Sequence, residues 1–301
     1  MMMETEIKIG NYNTLKMTRV AERPNPHAYG GKESFGIFLD GGKEGEILMP
    51  QKYVPEHVKA GSDVHCFVYL DQDERLIATT EKPLAKVGDF AYLKCSWVNE
   101  YGAFLDWGLM KDLFCPFREQ KRRMEIGESY IVYVYVDKDS YRVAATAKVD
   151  RWLHDVRQDN GGGLHKGVEV DLLVWQKTEL GFKVIINNRY AGLVYKDQVF
   201  QYIHTGDRVK GYILNVREDG KIDVSLQPIG RRQTLDFAET LLEWIKAHDG
   251  HCPFSDKSTP DDIKREFQVS KKVFKKAVGD LYKKQLIIIS DNGLELTKKG
   301  K

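Results

Sequence analysis

Apolar and polar residues alternate in short runs across the first three quarters of this 301-residue chain, with turn residues between the runs. Alternation with a period of two predicts half-buried β-strands. The clearest block predicts strands near Phe90 to Val98, Ala103 to Trp107 and Leu113 to Cys115. Two more follow Gly127, Tyr130 to Val136 and Arg142 to Ala147, joined through Asp137-Lys138-Asp139-Ser140, which is favourable hairpin chemistry. Five strands in so short a block fit an OB-fold, a small Greek-key barrel.

The block is repeated. Ser34-Phe35-Gly36-Ile37-Phe38-Leu39-Asp40 stands 66 positions before the run centred on Tyr101-Gly102-Ala103-Phe104, and Gly181 stands 79 after Gly102. Gly61, Gly127 and Gly206 each lie 25 residues beyond their respective Gly36, Gly102 and Gly181, and Thr80, Thr146 and Ser225 lie 19 further on. Such spacing predicts three copies of one module, at residues 1–84, 85–148 and 167–230. The first copy has 12 additional residues between Gly10 and Gly36, including Arg23-Pro24-Asn25-Pro26-His27 and Gly30-Gly31, expected to form a loop at a barrel rim. Residues 149–166, with Gly161-Gly162-Gly163, read as a linker.

From Leu235 the period becomes helical. Leu235, Ala238, Leu241, Leu242 and Ile245 predict one apolar helix face, Thr259-Pro260-Asp261-Asp262 starts a second helix, and Ser270 caps a third that buries Val273, Phe274, Ala277, Val278 and Leu281. A hairpin is expected across Asp291-Asn292-Gly293. Three helices and a hairpin make residues 231–301 a winged helix-turn-helix domain. The expected fold is therefore mainly β with a C-terminal α+β domain.

Composition adds constraints. With 42% hydrophobic and 30% charged residues the chain is of globular type, and no long apolar run predicts a membrane span. The acidic start without an apolar segment predicts a cytoplasmic protein. Net charge rises along the chain, from −3 over residues 1–84 through 0 and +1 to +4 over 231–301, which favours the later segments for phosphate contacts. Cys66, Cys95, Cys115 and Cys252 form no CxxC pair and read as buried thiols. His248, His251 and Cys252 lack a convincing fourth zinc ligand, and neither a phosphate-binding glycine fingerprint nor a spaced acid pair occurs. No catalytic residue, metal or cofactor is expected, so the chain reads as non-enzymatic.

Binding chemistry is better represented. An OB barrel presents rings to bases and cations to phosphates on its second and third strands. Phe182, Tyr190 and Tyr195 with Lys183, Arg189, Lys196, Arg208 and Lys210 make the third barrel the expected RNA surface, extended by Lys271, Lys272, Lys275 and Lys276 on the third helix. Phe35, Phe38, Tyr101, Phe104 and Arg118 form a secondary set in the first two barrels. Each aromatic could equally fill a barrel core, because alternation does not say which face is wet.

The module Tyr101-Gly102-Ala103-Phe104, the Gly127-Glu128 start of its fourth strand and the closing Ala145-Thr146 resemble the S1 RNA-binding OB domain. Three such modules before a winged helix, with Leu180-Gly181-Phe182-Lys183-Val184-Ile185, Gly192-Leu193-Val194-Tyr195-Lys196 and Arg217 to Leu226, resemble the conserved virulence factor B family of bacterial RNA-binding proteins. That resemblance implies RNA binding and post-transcriptional regulation, including regulation of virulence. Where the generic S1 domain has a third-strand histidine, this chain has Pro50, Pro116 and Tyr195. The reading is single-stranded RNA binding by stacking and phosphate contact. The alternatives are a DNA-binding transcriptional regulator using the winged helix and a protein-interaction scaffold. RNA affinity should fall steeply from low to physiological salt in a titration.

Overall fold

The computed structural model describes residues 6–27, 29–199, 202–228, 231–290 and 292–300, so the first five residues and Asp291 of the expected hairpin turn lie outside it. The chain divides into two compact units, residues 1–152 and 153–301.

The first unit holds two closed five-stranded barrels. One is built from β1 (Asn11–Pro24), β2 (Lys32–Asp40), β3 (Glu46–Pro50), β4 (Asp63–Leu70) and β5 (Leu76–Thr79). The other is built from β6 (Phe90–Val98), β7 (Gly102–Asp106), β8 (Leu113–Pro116), β9 (Ser129–Val136) and β10 (Val143–Thr146). The second unit contains a third barrel of β11 (Glu169–Lys177), β12 (Gly181–Ile186), β13 (Tyr190–Tyr195), β14 (Arg208–Val216) and β15 (Ile222–Ser225). All three have the OB order, in which the first strand pairs with the second and fourth and the third pairs in parallel with the fifth.

One glycine serves the same purpose in each barrel. A Cβ on Gly36, Gly102 or Gly181 would overlap the carbonyl oxygen of Met49, Cys115 or Val194 on the adjacent strand. The second and third strands approach too closely there for any other residue. Each barrel also ends alike: a buried hydroxyl, on Thr79, Thr146 or Ser225, accepts a hydrogen bond from the amide two residues on, at 3.0 Å in each case. In the first barrel that residue is Thr79 and not Thr80.

The expected rim loop of the first copy is instead a hairpin arm. Pairing continues outward through Glu22↔Ser34, Arg23↔Glu33 and Pro24↔Lys32, so the inserted residues lengthen β1 and β2. The expected linker is likewise packed: Val149 is buried in the first unit, and Val156 and Leu164 enter the third barrel's core. Asn160, Gly161, Gly162 and Gly163 all have positive φ, and Tyr190 fills the space where a Gly162 side chain would go. The glycines of this segment serve a tight left-handed path rather than flexibility.

The first two barrels share a core. Phe67 and Tyr69 of β4 lie edge-on to the buried Trp107, with centroids 5.8 and 6.3 Å apart. Leu84 N donates to Trp107 O at 2.7 Å, and Lys111 Nζ donates to Asp71 O at 2.5 Å. The four cysteines are buried, and burial pushes the thiols of Cys66 and Cys115 up to about 12 and that of Cys252 to about 11.

The C-terminal domain runs α1 (Arg231–Ala247), β16 (His251–Cys252), α2 (Pro260–Phe267), α3 (Lys271–Lys283), β17 (Ile287–Ser290) and β18 (Gly293–Leu296). Thr259 caps α2 with proline behind it, and Ser270 caps α3 through Val273 N. The two-residue β16 completes a three-stranded sheet beside the wing hairpin. Leu235 is 37% exposed, leaving the α1 face to Phe237, Ala238, Leu241 and Ile245.

Gly102→Ala should lower the stability of the first unit by about 2 kcal/mol, read as a lower urea midpoint, because β7 and β8 must part. Gly279→Ala should raise winged-helix stability by roughly 0.5–1 kcal/mol, since that α3 glycine faces open space with an ordinary φ.

Candidate nucleic-acid interface

The first strand of every barrel carries an irregularity at the same place, between Met17 and Arg19, Cys95 and Trp97, and Val174 and Gln176. The extra residue reverses the alternation, so the residue after it faces the second strand's outward side chain. The pairs are Arg19↔Phe38, Trp97↔Phe104 and Gln176↔Lys183. On the third strand the row continues with Leu48, Phe114 and Leu193.

These homologous rows have different chemistry. In the first barrel the Arg19 guanidinium lies 4.1 Å over the Phe38 ring. Glu46 holds Arg19 there through Nε at 3.1 Å and Nη2 at 2.6 Å, and those hydrogen bonds keep the Glu46 carboxyl below its ordinary value. The ring is therefore covered by a clamped cation. In the second barrel Trp97 stacks on Phe104 with centroids 3.9 Å apart and planes 7° from parallel, and Phe114 adjoins Phe104 at 5.0 Å. The outer face of this aromatic row remains open, with Trp97 45% exposed. In the third barrel the row holds no ring: Lys183 is exposed, and its Nζ lies 5.2 Å over the buried bulge residue Trp175.

Beside Phe104 and Phe114 runs a groove of about 760 Å³ along β7 and β8. Tyr101, Phe117 and Arg118 line one end; Tyr69, Leu70, Lys111, Asp112 and Arg142 line the other. Tyr135 and Asp137 form part of its side. Arg118 Nη2 donates to Asp137 Oδ2 at 3.3 Å, and Arg123 packs over Phe117 at 3.4 Å. Hydrogen bonds from Ser140 hold the Asp137 carboxyl below its ordinary range, and burial pushes the Tyr135 phenol up to about 12. At neutral pH the groove thus offers rings, a neutral phenol, guanidinium groups and ionised carboxylates.

The third-barrel residues do not converge. Phe182 packs against the barrel core, and Tyr190 is 5% exposed with its hydroxyl donating to Asp159 at 2.7 Å. Their exposed neighbours on the strands are Lys183 and Ala191. Arg189 pairs with Asp159 at 3.0 Å, at the opposite end of the β12–β13 ladder from Tyr195. Lys210 pairs with Asp171 at 2.7 Å on the β11–β14 ladder, where exposed Arg208 also lies. Only Lys183, Tyr195 and Lys196 share the barrel face, with Arg217 donating to the Tyr195 hydroxyl at 2.7 Å and to Asp223 at 2.9 Å. On α3, Lys272, Lys275 and Lys276 are exposed opposite the buried face and Lys271 is half-buried; Lys275 reaches Asp256 at 4.0 Å.

Of the secondary set, Tyr101, Phe104 and Arg118 come together in the groove, while Phe35 is half-buried and Phe38 is covered. Phe114 and Phe117 are groove residues that sequence reasoning missed, as is Trp97, which stacks on Phe104 beside the groove. An aromatic immediately after a one-residue strand irregularity would have been the signal for Trp97.

The chain is similar to several known proteins. A family model for the S1 domain matches residues 31–81 and 87–148, and one for the CvfB-like winged helix domain matches residues 239–296. The uncharacterized protein YitL of Bacillus subtilis is 28% identical over 275 residues, covering 88% of this chain and 89% of that protein. Conserved virulence factor B of Staphylococcus epidermidis is 26% identical over 273 residues, covering 87% and 90%. The crystal structure of a multidomain protein with nucleic acid binding domains from Streptococcus pneumoniae is 20% identical, covering 96% of this chain and 98% of that one, with a TM-score of 0.40.

The arginine clamp has a pH signature. The depressed Glu46 pKa means the Arg19 contact contributes above the ordinary glutamate pKa and is lost as pH falls through the lower, folded value. Arg19→Ala should return the Glu46 carboxyl titration, followed by NMR, toward its ordinary range.

Proposed function

Because the chain belongs to the family that joins S1 domains to a CvfB-like winged helix, we propose that it binds single-stranded RNA at the second barrel and acts as a non-enzymatic post-transcriptional regulator. The carrying observation is the Trp97–Phe104–Phe114 row beside a groove with Arg118 at its rim. Stacked rings accept any unpaired base on their π faces, and the guanidinium groups meet phosphates. A duplex keeps its bases stacked on one another, so this geometry favours a single strand. Lys183, Tyr195 and Lys196 of the third barrel, and Lys272, Lys275 and Lys276 of α3, offer separate phosphate contacts within the second unit.

The α3 lysines also favour a second reading, duplex DNA held by the winged helix. The exposed α3 face carries lysines where base readout calls for Arg, Asn or Gln, so such binding would be sequence-tolerant. Phe104→Ala, which removes the ring that joins Trp97 and Phe114 in one row, should weaken single-stranded RNA binding about tenfold or more, while Phe38→Ala, whose ring lies under an arginine held by Glu46, should change it less than threefold. Fluorescence anisotropy at fixed salt, with duplex DNA as competitor, measures both. Displacement by duplex at lower concentration than by unlabelled RNA would favour the DNA reading.

A further inference from the structure

The two ends of the second-barrel groove differ. At the Tyr101 end Arg123 packs over Phe117 and Arg122 is exposed beside it in sequence, while Arg118 reaches from that end to Asp137. At the other end the first barrel stands across the groove. Tyr69 and Leu70 line that end, Lys111 Nζ is tied to Asp71 O at 2.5 Å, and Arg142 is ion-paired with Glu74. Tyr69 and Leu70 thus narrow the path of a strand past Phe114, and the β4–β5 turn beyond them carries Asp71 and Glu74. Its acids also occupy Arg142, and burial holds the Lys111 ammonium below its ordinary range. Asp112, half-buried in the lining of the same end, has no hydrogen-bond or ion-pair partner among the described residues.

Resting on the RNA reading above, we infer that this groove receives the 3′-hydroxyl end of an RNA strand, with Asp112 accepting from the terminal ribose diol. The two termini of RNA differ chemically. A 5′ end carries phosphate or a single hydroxyl, whereas an unmodified 3′ end carries adjacent 2′- and 3′-hydroxyls, both donors. A carboxylate accepts from ribose hydroxyls and repels phosphate. The strand enters with its phosphates at the arginine end and stacks across Phe104 and Phe114. Its last sugar then meets an acceptor in a place where an internal phosphate would face Asp112, Asp71 and Glu74.

The test uses the full chain and one short oligouridylate in four forms: 3′-hydroxyl, 3′-phosphate, 2′,3′-dideoxy-terminated and covalently circular. The 3′-hydroxyl form should bind about tenfold more tightly than each of the other three, because a site built to hydrogen-bond hydroxyls penalises ligands that lack them. Asp112→Asn and Asp112→Ala should each bring the four forms within about threefold, by weakening the 3′-hydroxyl form and tightening the 3′-phosphate and circular forms, with a wild-type urea midpoint reporting intact folding. Equal binding of linear and circular forms, with Phe104→Ala still weakening both, would overturn the terminus inference and leave the groove reading standing. Insensitivity of every form to Phe104→Ala would remove both.

Discussion

Each barrel depends on one close approach, where the second strand passes a carbonyl oxygen of the third with room only for hydrogen on the α-carbon. Gly36, Gly102 and Gly181 meet Met49, Cys115 and Val194 in this way. The contact sets the separation of the two strands that face outward in an OB barrel, and so the spacing of the side chains between which a base could lie. The same glycines let the strands bend enough to close five short segments into a barrel. Core residues such as Leu39, Leu105 and Val184 then follow on alternate positions.

On this common frame the first-strand irregularity decides what each barrel presents. It turns Arg19, Trp97 and Gln176 outward against Phe38, Phe104 and Lys183. The consequences differ through single residues. A carboxylate at Glu46 clamps the arginine over its ring, an indole at Trp97 extends its ring into a row, and the third barrel substitutes a lysine. Three copies of one fold thereby give a covered ring, an open aromatic row and a cationic strand, so a shared module does not entail a shared surface.

The first two barrels differ from the third in being fused. Phe67 and Tyr69 pack on Trp107 as one core, and the polar ties from Asp71 and Glu74 reach Lys111 and Arg142 over the top of it. That fusion positions the groove, because one of its ends is made of residues from the other barrel. The lining is also locally balanced: Lys111, Arg118 and Arg142 are matched by Asp112, Asp137 and Asp139, all from the second barrel.

The sequence by itself determined the number of barrels, the strands of the second, the helical C-terminal domain and its caps, because these follow from local periodicity, repeat spacing and turn chemistry. It also contained the three glycines, though not the carbonyl that makes each necessary. The tertiary structure alone decided which rings are wet. One extra residue in a strand reverses every later side chain, so alternation read through Ser96 assigns Trp97 to the wrong face. Partners far apart in sequence then settled the rest. Glu46 lies 27 residues from the arginine it holds over Phe38, and Glu74 lies 68 from Arg142 at the groove's closed end. Such pairings are set by how strands close and barrels pack, which no local pattern encodes.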